Sequence, residues 1–324
     1  MELARGGGGA RPRFVHEVVF HDGPGDRARA LLPFLCAGVE RGEAALVVLP
    51  RASIEELRPA LDRELSGGPH GVRDRHLVEF ADVAEVAGNP ACMIPVWRHF
   101  VEGHGGDGRV RGVMEPVWAG RRDTEVSEAL VHEALVNLAF DHGPGWHLLC
   151  AYDRSRLPSA VVEEARRTHP VEHDLPRPSP SYAGLRHARE VFGTRLGEPP
   201  RDALRHGFAL GDLADVRHRV QVAGLAAGLD EETNDDLALA AHELATNSVV
   251  HADGKGTLLV WSEPAALVVE VQDAGHIADP LVGLATPDFE ALGGRGIWMV
   301  NRLCDLVQVR SDGEGTQVRL RVWR

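Results

Sequence analysis

From Phe14 to about His169 the chain alternates short apolar runs with amphipathic stretches, and this alternation narrows the choice of fold more than any other feature. FVHEVVF, AALVVLP, HLVEF, RVRGVMEP and WHLLCAY read as strands. Between them ARALLPFLCAGVERG, SIEELRPALDREL, PACMIPVWRHFVEG, EVSEALVHEALVNLAF and PSAVVEEARRT read as helices. Short apolar strands separated by helices imply a largely parallel sheet with helices covering it, so the first part of the chain is α/β.

The texture changes between Pro170 and Pro200, where VEHDLPRPSPSYAG and GEPP are too rich in proline to hold a helix or an inner strand. This stretch reads as a linker, and 324 residues are enough for a domain with its own core on each side of it. The boundaries expected are 12–172, 173–199 and 200–324. The last part runs in a different order. A helix around LADVRHRVQVAGLAAG and another from about Glu231 to His251 precede the strands TLLVWS and ALVVEVQD. A segment containing glycine and proline follows, then a helix from near Gly296 and the strands LVQVRS and TQVRLRVW. Strands joined by short turns predict an α+β sandwich, with helices on one face of a mixed or antiparallel sheet.

A formal net charge of −13 argues against direct binding of nucleic acid or an anionic membrane, both of which need a cationic surface. Cys36, Cys92, Cys150 and Cys304 show no CxxC spacing, which predicts reduced, buried thiols and neither a disulfide framework nor a zinc cluster. No apolar run approaches the roughly 20 residues that cross a bilayer. MELARGGGGARPR lacks the apolar centre of a signal peptide, so a cytoplasmic protein with a disordered first dozen residues is expected.

Two hexapeptides repeat one pattern: HEALVN at 132–137 and HELATN at 242–247. Neither is HExxH, because Val136 and Thr246 stand where the second histidine would be. A phosphate-binding P-loop is excluded too, since the only lysine, Lys255, follows a helix in ADGKGT. In the second hexapeptide Glu243 and Asn247 are i,i+4 on one helix face. Leu237, Ala240, Ala241, Leu244 and Ser248 form the opposite, core-facing stripe. Asp273-Ala274-Gly275 then closes an apolar strand, Gly293-Gly294-Arg295-Gly296 opens a helix, and Gly315-Thr316 enters the final strand. Taken singly, these motifs read as a solvated helix face, a turn and a loop. Nothing comparable follows HEALVN, and His242 and His251 read as polar surface residues.

In this order, ExxxN, DxG, GxG and GT resemble the GHKL family of ATPases and kinases, with its Bergerat ATP-binding fold, over roughly residues 200–324. The resemblance implies ATP and Mg²⁺ as cofactors. It makes Asn247 the Mg²⁺ ligand, Glu243 the general base and Asp273 the acceptor of the adenine amino group. Gly275 would leave room for the ring, Gly294 and Gly296 would bring backbone amides to the phosphates, Arg295 would reach the terminal phosphate, and Thr316 would supply an adenine-side hydroxyl. HELATN lacks the proline of a histidine-kinase phosphoacceptor box and lies inside the ATP-site helix. The ending GGRGIWMVNRLCDLVQVRS…GTQVRL resembles the anti-sigma-factor type of serine/threonine kinase, which implies a STAS-type antagonist as substrate, a sigma factor as a further partner, or both. Two alternatives stay open: a non-catalytic module whose grip on a sigma factor depends on ATP, and a histidine-kinase-like protein lacking its own phosphoacceptor.

PFLCAGVERGEAALVV, VRGVMEPVW, HEALVNLAF, LLCAYD and RTHPVE resemble the MEDS sensory family over roughly residues 12–172. That resemblance implies a RecA-like α/β domain sensing an unknown small molecule. Glu133 and Asn137 would then be structural or ligand-pocket groups. The oligomeric state, a homodimer included, is left open.

Overall fold

A computed structural model describes residues 13–67, 76–104, 110–173, 175, 179–286 and 295–324; the first twelve residues, Gly293 and Gly294 lie outside them. Six parallel strands build the first sheet: β1 (Val15–His21), β2 (Ala44–Leu49), β3 (Val78–Asp82), β4 (Val110–Met114), β5 (His147–Asp153) and β6 (Val171–Glu172), in the order β3-β2-β4-β5-β1-β6. Helices α1 (Pro24–Glu40), α2 (Arg51–Gly67), α3 (Val83–Ala87), α4 (Met93–His104), α5 (Asp123–Ala139) and α6 (Ser159–Thr168) connect them. Because helices cover both faces, the inner strands are apolar throughout: Leu46 to Leu49 and Leu148 to Tyr152 are all buried. Two cores result, one containing Trp97, Met114 and Tyr152, the other Leu31, Leu35 and Val47.

The expectation of a proline-rich stretch without a helix needs correction. The prolines cluster at 170–180 and at 199–200, and the proline-free window between them holds α7 (Leu185–Phe192). Its buried His187, Ala188 and Phe192 pack it beside α5, and His187 Nε2 lies 2.5 Å from a carboxylate oxygen of Glu164. The two-residue β6 pairs with β1 at the sheet edge.

The second sheet is antiparallel throughout, in the order β10-β11-β9-β8-β7. Its strands are β7 (Leu204–Ala209), β8 (Lys255–Glu263), β9 (Ala266–Asp273), β10 (Leu306–Asp312) and β11 (Gly315–Trp323). On one face lie α8 (Leu213–Ala227), α9 (Glu231–His251) and α10 (Gly296–Leu303), enclosing a core with Leu237, Leu244, Val269 and Leu320. β7 escapes the sequence reading because LRHGFA is a largely exposed edge strand without apolar alternation. Asp230 starts α9 by accepting the Thr233 N–H at 2.9 Å. α8 ends at Gly228 in the left-handed conformation. The helices pack closely enough that a Cβ on Gly224 would meet Asn234 Oδ1 at 1.9 Å. The opposite face carries a polar lattice in which Glu270 pairs with Arg319, and Arg321 bonds Gln308 and Glu263.

Several contacts fix one sheet against the other. Arg310 on β10 grips Glu128 of α5 through two hydrogen bonds, Nη2 to Oε2 at 2.6 Å and Nη1 to Oε1 at 3.1 Å. Gln308 adds a third at 3.3 Å. Asn89 Nδ2 donates to the Asn301 carbonyl at 2.8 Å, and the Arg122 guanidinium lies 4.2 Å from the Trp323 ring centroid. After β9 the chain crosses to the first unit, where Leu284 joins the core of Trp97 and Tyr152.

Candidate functional site

α9 and β9 converge on the site. Asp273 is the last residue of β9 and pairs across the ladder with Thr316 of β11. A carboxylate there needs donors, and it has two: the Ser248 hydroxyl donates to Oδ2 at 2.6 Å and the Gly275 N–H to Oδ1 at 2.8 Å. The Thr316 hydroxyl donates to the Gly275 carbonyl at 2.9 Å, and Ser311 Oγ, 3.0 Å from Thr316 Oγ1, accepts the Ile277 N–H at 2.9 Å. The Asp273-Ala274-Gly275 turn is thereby fixed between α9 and the β10–β11 hairpin.

Close approach explains the glycines. A Cβ on Gly275 would lie 2.6 Å from Ala252 Cβ, so the turn can sit directly against the end of α9 only with glycine there. Gly315, at φ 141°, places its missing Cβ 2.2 Å from the Asp273 carbonyl oxygen. A Cβ on Gly296 would meet Asn247 Nδ2 at 2.8 Å, so the start of α10 touches the amide of α9.

These elements enclose a cavity of about 390 Å³, within the range of small-molecule sites. Val271, Ile277, Ile297 and Val318 give it apolar walls, while Asn247, Asp273 and Thr316 supply the polar groups. An apolar slot with one carboxylate at its end suits a flat heteroaromatic ring bearing an amino group. The start of α10 and the Asn247 amide suit phosphate and a cation that takes few protein ligands, as Mg²⁺ does.

Of the residues singled out in the sequence, Asn247, Asp273, Gly275, Gly296 and Thr316 line this one cavity. Glu243 is half-buried one helical turn from Asn247 and is not part of the wall. Arg295 is exposed at the N-cap of α10, also outside the wall, and Gly294 lies outside the described residues. The structure adds Ser248, His251, His276, Ile277 and Val282 to the lining. Ser248 belongs to the site as well as to the buried stripe of α9, because it lies where that stripe meets the Asn247 face. His251 is exposed at the cavity rim, and its spacing of four from Asn247 was the signal that could have found it. The first hexapeptide behaves differently. Glu133 and Asn137 are both buried, and Asn137 Nδ2 donates to the Thr168 carbonyl at 2.7 Å.

Residues 15–170 match the family model described as MEDS, the MEthanogen/methylotroph, DcmR Sensory domain. Residues 208–322 match that of the Histidine kinase-like ATPase domain. The chain thus joins a MEDS domain to a histidine-kinase-like ATPase domain. Comparison with curated proteins returned no match. Among the described residues no helix is long and apolar enough to cross a membrane.

Proposed function

We propose that the C-terminal unit binds Mg-ATP in this cavity and transfers the terminal phosphoryl group to a serine or threonine of a STAS-type partner, and that the MEDS unit adjusts the transfer in response to a small molecule. The observation that carries the reading is the meeting of Asn247, Asp273, Gly275, Gly296 and Thr316 around one cavity, on a stretch matching the histidine kinase-like ATPase model. Bound Mg-ATP supplies the phosphoryl group. Asp273, already oriented by Ser248 and Gly275, accepts the adenine amino group. Asn247 Oδ1 would hold the magnesium, and the first amides of α10 would meet the phosphates. Glu243 takes the proton of the attacking hydroxyl as the new O–P bond forms and ADP leaves. In such a site positioning and charge neutralisation carry the catalysis.

The test incubates the full chain with Mg-ATP and candidate STAS proteins. Acid-stable phosphate on serine or threonine is expected. Glu243→Ala should keep nucleotide affinity while transfer falls by 100-fold or more, at the lower end of the usual general-base contribution of roughly 10²–10⁴. Bound nucleotide with no phosphoserine or phosphothreonine on any candidate would overturn the kinase part. One observation favours a second reading, an ATP-controlled binding module that acts on a partner such as a sigma factor without transfer: Glu243 lies outside the cavity wall.

A further inference from the structure

Four side chains that no part of the nucleotide site uses meet inside the N-terminal unit. His16 comes from β1, Glu133 from α5, Cys150 from β5 and His169 from the residue after α6. Their ligand atoms all lie within 4.8 Å of one another, and all four residues are fully buried.

The hydrogen bonds around the cluster set its chemistry. His16 Nδ1 lies 3.2 Å from Asn137 Oδ1, whose amide nitrogen is committed to the Thr168 carbonyl. His169 Nδ1 lies 2.6 Å from the Ala165 carbonyl. Both partners are acceptors, so each ring carries its proton on Nδ1 and presents a bare Nε2 lone pair to the cluster. His169 Nε2 has no hydrogen-bond partner, and neither has Glu133 Oε1. The rings are 3.9 Å apart between centroids, which brings two unshared lone pairs together with a buried carboxylate and a thiol sulfur. A carboxylate enclosed in this way, with the Tyr152 hydroxyl donating to one oxygen and the other oxygen unpartnered, is costly unless a cation meets it.

We propose that this cluster is a closed four-ligand site for a divalent transition-metal ion of the zinc type, with His16 Nε2, His169 Nε2, Cys150 Sγ and a Glu133 oxygen as ligands. Metal–ligand bonds of about 2.0–2.3 Å put the corners of a tetrahedron about 3.3–3.8 Å apart. The separations found are close to that: Cys150 Sγ to His16 Nε2 is 3.4 Å, His169 Nε2 to Glu133 Oε2 is 3.1 Å and His16 Nε2 to Glu133 Oε2 is 3.7 Å. Charge balances too. On binding, the metal–sulfur bond forms as the Cys150 proton leaves to solvent, and the dication, thiolate and carboxylate sum to zero in a dry site. Asn137 and the Ala165 carbonyl act as the outer groups that fix ligand tautomers, and the Tyr152 hydroxyl donates to Glu133 at 3.2 Å. The mixed N, O and S donor set excludes magnesium and calcium, which prefer all-oxygen shells. The site is independent of the nucleotide reading.

Because the cluster is buried, the ion is loaded during folding. The full chain is produced in minimal medium with cobalt(II) as probe, then assayed for metal content and visible absorption. About one cobalt per chain is expected, with the intense bands of tetrahedral geometry and a thiolate charge-transfer band. Cys150→Ser should lose the charge-transfer band although Cys36, Cys92 and Cys304 remain. Asn137→Ala should weaken metal affinity by about 10–100-fold. Should either variant fail to fold, X-ray absorption on the wild-type cobalt protein decides: one sulfur and three lighter ligands support the site, and a shell without sulfur overturns it. Folded wild-type protein that takes up no cobalt, or an unchanged charge-transfer band in Cys150→Ser, also overturns it.

Discussion

The pairing of Glu128 with Arg310 gives a quantitative test of how the two units are held together. Glu128 is 2% exposed and Arg310 6%. Burial alone would raise the Glu128 carboxyl, but the Arg310 guanidinium and the His132 imidazole bring it down from 4.5 to about 2. A displacement of that size corresponds to about 3 kcal/mol, within the roughly 3–5 kcal/mol seen when one partner of a buried pair is removed. We therefore expect Glu128→Ala and Arg310→Ala each to lower unfolding stability by about 3 kcal/mol. The double variant should lose much less than the sum, with a coupling of about 2 kcal/mol or more. Urea unfolding followed by tryptophan fluorescence suits the cycle, since Trp97, Trp118 and Trp146 report on the first unit and Trp261, Trp298 and Trp323 on the second. The folded carboxyl titrates below the unfolded one, so its contribution is complete above pH 4.5 and disappears as the pH falls toward 2. Coupling within about 0.5 kcal/mol of zero at pH 7 would refute the clamp.

Other perturbations act on the cavity. Ser248→Ala removes a donor to the Asp273 carboxylate, a hydrogen bond worth roughly 1.5–3 kcal/mol, and calorimetry should show adenine-nucleotide affinity lower by at least tenfold. Gly315→Ala has no room against the Asp273 carbonyl and an unfavourable φ, so stability should fall by roughly 1–3 kcal/mol with loss of nucleotide binding. Gly313→Ala, whose added Cβ would meet nothing within 4 Å, should leave both unchanged in the same thermal and binding assays. Asn247→Ala should keep binding of magnesium-free nucleotide and abolish its enhancement by magnesium; enhancement surviving intact would remove Asn247 as the ligand.

Both folds were legible because each rests on periodicity. The buried parallel strands are continuously apolar, and α9 carries the apolar stripe of Leu237, Ala240, Ala241 and Leu244. β7 and α7 were not legible, for opposite reasons: β7 is an exposed edge without apolar alternation, and α7 lies among prolines that bracket it and leave its eight residues free. Asn247, Asp273, Gly275, Gly296 and Thr316, which line one cavity, could be singled out because ExxxN, DxG, GxG and GT stand in the order of the family that the stretch resembles. Ser248 was read only as part of the core-facing stripe, because whether a small polar residue there also meets the cavity depends on what β9 brings opposite it. The buried His16, Glu133, Cys150 and His169 were out of reach for the same reason, since four distant segments meet only once the sheet has formed.

The short run from Ile277 to Leu284 belongs to both halves of the molecule. Ile277 and Val282 wall the cavity, while Leu284, two residues on, is seated among the side chains of the first unit. Gly283 between them leaves no slack, its missing Cβ lying 2.5 Å from Ile297 Cγ2. The cavity wall and the core of the first unit therefore share one short stretch of chain, with a close-packed glycine between the residue that serves the one and the residue that serves the other.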